Sequence, residues 1–231
     1  MEHDGSCGFA STEQQRRAIC GGCERPLPVC LCHALPSTLI PTTTRVLVVQ
    51  HPHEARHRLN TVPLLTKSLC NITTVITRRF RPEHMQDNQS SLIPTYYLFP
   101  ASPSTPLSCL RNTIKNQMRA GPVVLIAFDG TWNHAKEMVS ASEDYLASFA
   151  TRVCLDGFDP RSEGGNIYNS DLLLRKEPWR GCVSTAEAVT RWLGAVEENG
   201  PDIETGLLRA LREMVRLQAH YLKPVLKNKR N

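Results

Sequence analysis

Apolar residues along this chain fall into short unbroken runs separated by longer stretches of mixed character. Arg45-Val46-Leu47-Val48-Val49-Gln50 is apolar through its middle and closes on a polar residue, the pattern of a strand buried on both faces. Ile72 to Thr77, Tyr96 to Phe99, Pro122 to Phe128 and Arg152 to Leu155 read the same way, which makes five short strands. Between and after them, Thr61 to Cys70, Leu107 to Met118, Trp132 to Ser148, Thr185 to Glu198 and Ile203 to Leu222 carry helical content. In the last of these Leu207, Leu208, Leu211, Met214, Val215 and Leu217 recur at helical spacing, with Arg209, Arg212, Glu213 and Arg216 mostly elsewhere around the helix. Strands alternating with helices predict a largely parallel α/β sheet with helices on both faces, and such sheets bind ligands at the carboxyl ends of their strands. The Ser/Pro-rich stretch at 101–108 reads as a loop, and no internal repeat is present.

Three segments follow from the pattern: a polar tail at 1–18, a compact cysteine segment at 19–40, and the α/β domain at 41–231. With 41% hydrophobic and 21% charged residues the chain has the composition of an ordinary globular protein. No run approaches the ~20 apolar residues of a membrane helix. The N-terminus lacks the apolar core of a signal peptide, so a cytoplasmic location is expected, with a nuclear pool left open by the short basic tail. Four of the nine cysteines crowd into Cys20 to Cys32, while Cys7, Cys70, Cys109, Cys154 and Cys182 are scattered. That usage argues against a disulfide framework and for one metal site in a reducing compartment. A net charge of +5, with basic residues at Arg78-Arg79-Arg81, Arg209 to Arg216 and Lys223 to Arg230, is compatible with an acidic partner such as RNA.

Cys20-Gly21-Gly22-Cys23 followed by Cys30-Leu31-Cys32 carries the strongest chemical signal. Two glycines let the backbone turn both thiolates inward, and the intervening loop returns the second pair to complete a tetrahedron around zinc. Four sulfurs leave no open coordination position, so the site is structural or supports macromolecule binding. His53-Glu54-Ala55-Arg56-His57 matches the H-E-x-x-H of zinc proteases. Arg56 would place a fixed positive charge between the two ligands, Pro52 and the preceding strand end leave little helix around them, and no third ligand follows. The protease reading is therefore disfavoured, and the stretch reads as a loop leaving the first strand, with Asn60-Thr61 starting the next helix. The strand at Pro122 to Phe128 ends in Asp129-Gly130-Thr131-Trp132 and turns directly into a helix. Asp129 or Thr131 can serve as the helix N-cap, yet a carboxylate at a strand's carboxyl end also lies where ligands bind. Ser184 or Thr185 can cap the helix that follows, whose free amides can bind an anionic group.

Taken in order, Cys20-x-x-Cys23 with Cys30-x-Cys32, His51-Pro52-x-Glu54 with Asn60-Thr61, Leu98-Phe99-Pro100, Asp129-Gly130-Thr131-Trp132, and Arg175-Lys176-Glu177-Pro178 with Ser184-Thr185-x-Glu187-Ala188 resemble the DTW-domain proteins. The resemblance covers about Cys20 to Tyr221. It implies a tRNA-uridine aminocarboxypropyltransferase that uses S-adenosylmethionine, and a SPOUT-like fold whose C-terminal part is threaded as a trefoil knot. It also implies roles. Asp129 is the candidate general base, with Glu54 as a second catalytic residue. Leu98, Phe99, Pro100, Gly130, Thr131 and Trp132 would surround the cofactor, and Ser184, Thr185 and Ala186 would offer donors to it. His51, Arg56, Arg58, Arg175 and Lys176 are the candidate tRNA contacts. A SPOUT-type RNA methyltransferase and a non-catalytic zinc-containing RNA-binding module are the competing readings.

Overall fold

The computed structural model describes residues 18–85, 93–101, 103–156 and 183–221. Among the sequence expectations, the tail up to residue 17, Arg175, Lys176, Glu177-Pro178-Trp179 and the basic C-terminus lie outside the described residues.

Among the described residues six strands form one wholly parallel sheet: β1 (Thr44–Gln50), β2 (Ile72–Ile76), β3 (Thr95–Leu98), β4 (Thr105–Pro106), β5 (Val123–Asp129) and β6 (Ala150–Cys154), in the order β2-β1-β5-β3-β6-β4. Six α-helices accompany them among the described residues: α1 (Pro52–Ala55), α2 (Val62–Thr66), α3 (Leu107–Ala120), α4 (Trp132–Ala147), α5 (Thr185–Val196) and α6 (Gly200–Ala219). Because successive strand side chains point to opposite faces, each apolar run feeds two cores. Val46, Val48, Leu125, Ala127 and Tyr96 pack under α2, α3, α5 and α6. Their neighbours Leu47, Val49, Ile126, Phe128 and Tyr97 pack under α4. Helices on both faces are thus the consequence of runs that have no polar alternation.

The four long helices start and stop close to the expected positions. Ser184 caps α5 by accepting from the Glu187 amide at 3.2 Å, and Thr131 caps α4 by accepting from the His134 amide at 3.3 Å. Helix α6 begins earlier than Ile203 because Pro201 suits a first helical turn, where a missing N–H costs nothing. Helix α2 ends earlier than Cys70. Ile40 pairs there with Leu69, donating to the Ser68 carbonyl and accepting from the Cys70 amide, which draws those residues out of the helix.

Two loop expectations are corrected. His51 to His57 is not plain loop: Pro52–Ala55 makes a single helical turn, with the His51 ring accepting from the His53 amide. Thr105–Pro106, inside the Ser/Pro-rich stretch, pairs with Val153 and Cys154 as a two-residue edge strand. Proline is tolerated at an edge because its missing donor faces no neighbour.

The cysteine segment is seated on the domain. Leu31 and Ala34 join the core under α6, and the His33 ring meets the Glu213 carboxylate at 2.9 Å. A second tie runs from the end of α5 to the start of β1. Buried Glu197 accepts from the Thr43 and Thr44 amides at 3.1 and 2.8 Å. Replacing Glu197 with Ala leaves both donors without this partner, and the urea midpoint should fall by an amount equivalent to about 2 kcal/mol or more with an unchanged m-value.

Candidate active site and metal centre

Parallel register brings Gln50, the last residue of β1, directly opposite Asp129, the last residue of β5. Both side chains are buried, and Gln50 Nε2 donates to Asp129 Oδ2 at 2.7 Å and to Asn60 Oδ1 at 3.2 Å. The Asn60 oxygen also accepts from the Val62 amide at the start of α2, and the His51 amide donates to the Asp129 carbonyl. A buried carboxylate is stable only where donors replace water, and here a neutral amide supplies one. Gln50 was not singled out from sequence. The available signal was its position: the polar residue that ends an apolar run, one strand away from another such ending.

Around Asp129 the expected loops converge. Leu98 ends β3, which neighbours β5, so Phe99 and Trp132 approach to 6.3 Å between ring centroids. Phe99 is buried and Trp132 half-buried. Glu54 is buried on α1, with His57 Nδ1 3.9 Å from its carboxylate. Gly130 permits a close approach: a Cβ there would come within 3.0 Å of the His134 Cβ and 3.4 Å of the His51 Cβ.

His51, expected among the tRNA contacts, is only 3% exposed and offers an RNA little surface. Its ring stacks on His134 at 3.9 Å and meets His53 edge-on at 4.9 Å. Burial first, and then His134, His53 and Arg78, push its pKa below the usual histidine value, so the ring is neutral at pH 7. Arg56 and Arg58, by contrast, are exposed on the turn after α1, as an RNA contact requires. Sequence reasoning passed over His134, although its place in the first turn after Asp129 was a usable signal.

The start of α5 joins this end of the sheet. The Ala186 amide donates to Thr61 Oγ1 at 3.4 Å, and Ser184 Oγ is used by the Glu187 amide. Of the three residues expected to offer donors, Ala186 has its amide engaged within the protein, and the Ser184 hydroxyl accepts as a helix cap. Glu187, 1% exposed, faces inward and pairs with Arg191 at 3.3 Å.

At the other end of the chain's chemistry, the four cysteines converge as their spacing implied. Cys20 and Cys32 sulfurs are 3.5 Å apart, Cys20 and Cys30 also 3.5 Å, and Cys23 and Cys30 3.6 Å. Tetrahedral Zn–S bonds of about 2.3 Å set sulfurs roughly 3.8 Å apart, so the set fits one metal ion. A Cβ on Gly22 would lie 2.8 Å from the Cys32 sulfur, so only glycine leaves the cluster its room. The Leu31 amide points at the Cys23 sulfur at 3.4 Å, a donor suited to a thiolate. Hydrogen bonds from the Cys23 and Gly22 backbone pull Cys20 down to about 6, whereas Cys20, Cys30 and Cys23 push Cys32 up to about 12. One thiol therefore ionises readily while another resists, as expected of sulfurs crowded together without a cation.

A sequence profile of the DTW domain matches residues 17–219. The chain is 50% identical over 222 residues to tRNA-uridine aminocarboxypropyltransferase A of Arabidopsis thaliana, covering 91% of this chain and 84% of that one. It is 30% identical to tRNA-uridine aminocarboxypropyltransferase 2 of Mus musculus over 98% of this chain and 78% of the relative. The corresponding Drosophila melanogaster protein is 29% identical, over 91% of this chain and 79% of the relative. No solved structure matches.

Replacing Cys23 with Ser should remove one equivalent of metal from the purified chain and lower its thermal midpoint, read by elemental analysis and by calorimetry. Because thiols must lose protons to bind, retention by the unaltered protein should weaken as pH falls from 8 toward 5. Full retention in Cys23→Ser would remove the four-cysteine site.

Proposed function

The chain belongs to the DTW-domain family, and on that premise we propose that it is a tRNA-uridine aminocarboxypropyltransferase, moving the 3-amino-3-carboxypropyl group of S-adenosylmethionine to N3 of a tRNA uridine. The names of its relatives support the activity. The structural observation that supports it most is the buried Asp129 carboxylate, held by Gln50 at the carboxyl edge of a parallel sheet beside the Phe99 and Trp132 rings.

S-adenosylmethionine supplies a sulfonium whose γ-carbon is electrophilic, and displacement by uridine N3 releases 5′-methylthioadenosine. The protein's work is orientation and proton handling. Uridine N3 carries a weakly acidic proton, and Asp129 accepts or orients it. Gln50 fixes the carboxylate plane by donating to Oδ2. Phe99 and Trp132 offer apolar surface for the adenosine, and the Gly130 turn keeps that surface close to Asp129. Glu54, buried on α1, shapes the facing wall together with His51. Arg56 and Arg58 receive tRNA phosphates, and Arg175 and Lys176 are assigned the same task by family resemblance, which gives binding a steep salt dependence.

The same reading assigns zinc to Cys20, Cys23, Cys30 and Cys32, where it holds the amino-terminal segment against α6. It also assigns a SPOUT-like fold with the C-terminal part threaded as a knot. The wholly parallel sheet is compatible with that class.

Incubating the protein with tRNA and S-adenosylmethionine should add the aminocarboxypropyl mass to a uridine and release 5′-methylthioadenosine, read by mass spectrometry. S-adenosylhomocysteine as the co-product would instead make it a methyltransferase. Asp129→Asn should lower the transfer rate by about a hundredfold or more, and near-normal transfer would end the proton-acceptor role.

A further inference from the structure

Among the described residues the four-cysteine cluster uses no histidine, yet three histidines meet at the carboxyl ends of β1 and β5. His51 precedes α1, His53 lies on α1, and His134 lies in the first turn of α4. They are brought together because β1 and β5 are neighbours whose carboxyl ends are in register. One ring nitrogen from each lies within 4.8 Å of the other two. His134 adds an independent observation: its Nδ1 is buried and has no hydrogen-bond partner among the described residues. A buried polar atom without a partner costs about 1–3 kcal/mol, so it marks a place where a ligand belongs.

We propose that His51, His53 and His134 form a second metal site, separate from the four cysteines, that takes a borderline divalent ion such as zinc, nickel or cobalt. Neutral imidazoles select these ions over magnesium or calcium, which prefer oxygen. Three nitrogens at about 2.1 Å from one ion lie roughly 3.4 Å apart. The cluster therefore contracts by about 1.4 Å at most on binding, and exposed His53 supplies most of the movement. The stacked His51 and His134 rings turn so that their lone pairs converge. Ligation through His51 Nδ1 exchanges its 3.2 Å bond to the His53 amide for the ion. That amide lies at an exposed residue and water can replace the bond. Three protein ligands leave one position open for water or a substrate oxygen, unlike the closed four-sulfur site.

His57, the partner that the H-E-x-x-H pattern would pair with His53, is not part of this cluster. Its Nδ1 accepts from the Leu59 amide at 3.1 Å. The metal partner of His53 is therefore His134, 81 residues away in sequence and on a different helix.

The test needs neither tRNA nor S-adenosylmethionine, so it stands apart from the transfer reaction. The full chain is loaded with nickel or zinc, desalted, and analysed for metal, alongside His53→Ala, His134→Ala and His57→Ala. Wild type and His57→Ala should hold a second equivalent beyond the four-cysteine ion. His53→Ala and His134→Ala should lose that second equivalent alone, with affinity lowered by more than the roughly 10–100-fold that changing an outer-shell partner costs. Cobalt loading checks that the variants remain folded. Thiolate-to-cobalt charge transfer from the cysteine site should persist in all four proteins, whereas the ligand-field bands of a nitrogen site should vanish in His53→Ala and His134→Ala. A single equivalent in wild type, a second equivalent that survives both substitutions, or one lost with His57 would overturn the proposal.

Discussion

One buried hydrogen bond organises the functional end of this molecule. Gln50 and Asp129 close the two central strands in register, and the 2.7 Å bond between them holds a carboxylate inside the protein. Everything at this end is measured from that bond. Asn60 is drawn in by the same Gln50 amide and in turn orients the start of α2. Thr61, next in sequence, receives the Ala186 amide and so draws the start of α5 to the same edge. On the other side, the turn that follows Asp129 sets Trp132 beside Phe99 and His134 beside His51. A strand slip of one residue would exchange the two faces and dissolve the constellation. The register is held because the alternating residues of β1 and β5 fill two different cores, so the hydrophobic packing fixes the chemistry.

The amino-terminal cysteine segment is a separate device with a simpler logic. Thiols at this spacing resist sharing so small a volume unless a cation neutralises them, and Gly22 is the residue that leaves the sulfurs room. Leu31, between two of the cysteines, enters the core against α6, so the geometry of the four sulfurs and domain packing are coupled. The segment is therefore part of the domain's own core rather than a flexible attachment.

Legibility in the sequence followed the range of the interactions. The strands at Arg45 to Gln50 and Pro122 to Phe128 were plain, because burial on both faces writes itself as an unbroken apolar run. The cysteine site was plain because its ligands lie within thirteen residues of one another. Asp129 stood out by its position after a strand. By contrast, β4 was hidden, since only its pairing with Val153 and Cys154 makes Thr105–Pro106 a strand. Helix α1 was read as loop although a histidine cap, a proline in the first turn and Glu54 inside it formed a local start signal. Gln50 and His134 each carried a local signal of position, but which groups they meet follows from register and from the approach of α1 to α4. His51 was grouped with the RNA contacts, and no local cue pointed to its burial. The histidine pattern at 53–57 was rightly set aside: the fold brings His53 together with His51 and His134, the last from another helix, and not with His57.

The dependence of the site on the Gln50–Asp129 bond is tested most directly by a double-mutant cycle on the transfer rate with Gln50→Met, Asp129→Asn and the combination. If Gln50 acts by holding the Asp129 carboxylate, the second substitution should cost little once the first is present, and the coupling between them should be about 1–3 kcal/mol. Independent, additive losses would contradict the account, since Gln50 and Asp129 would then serve the reaction separately.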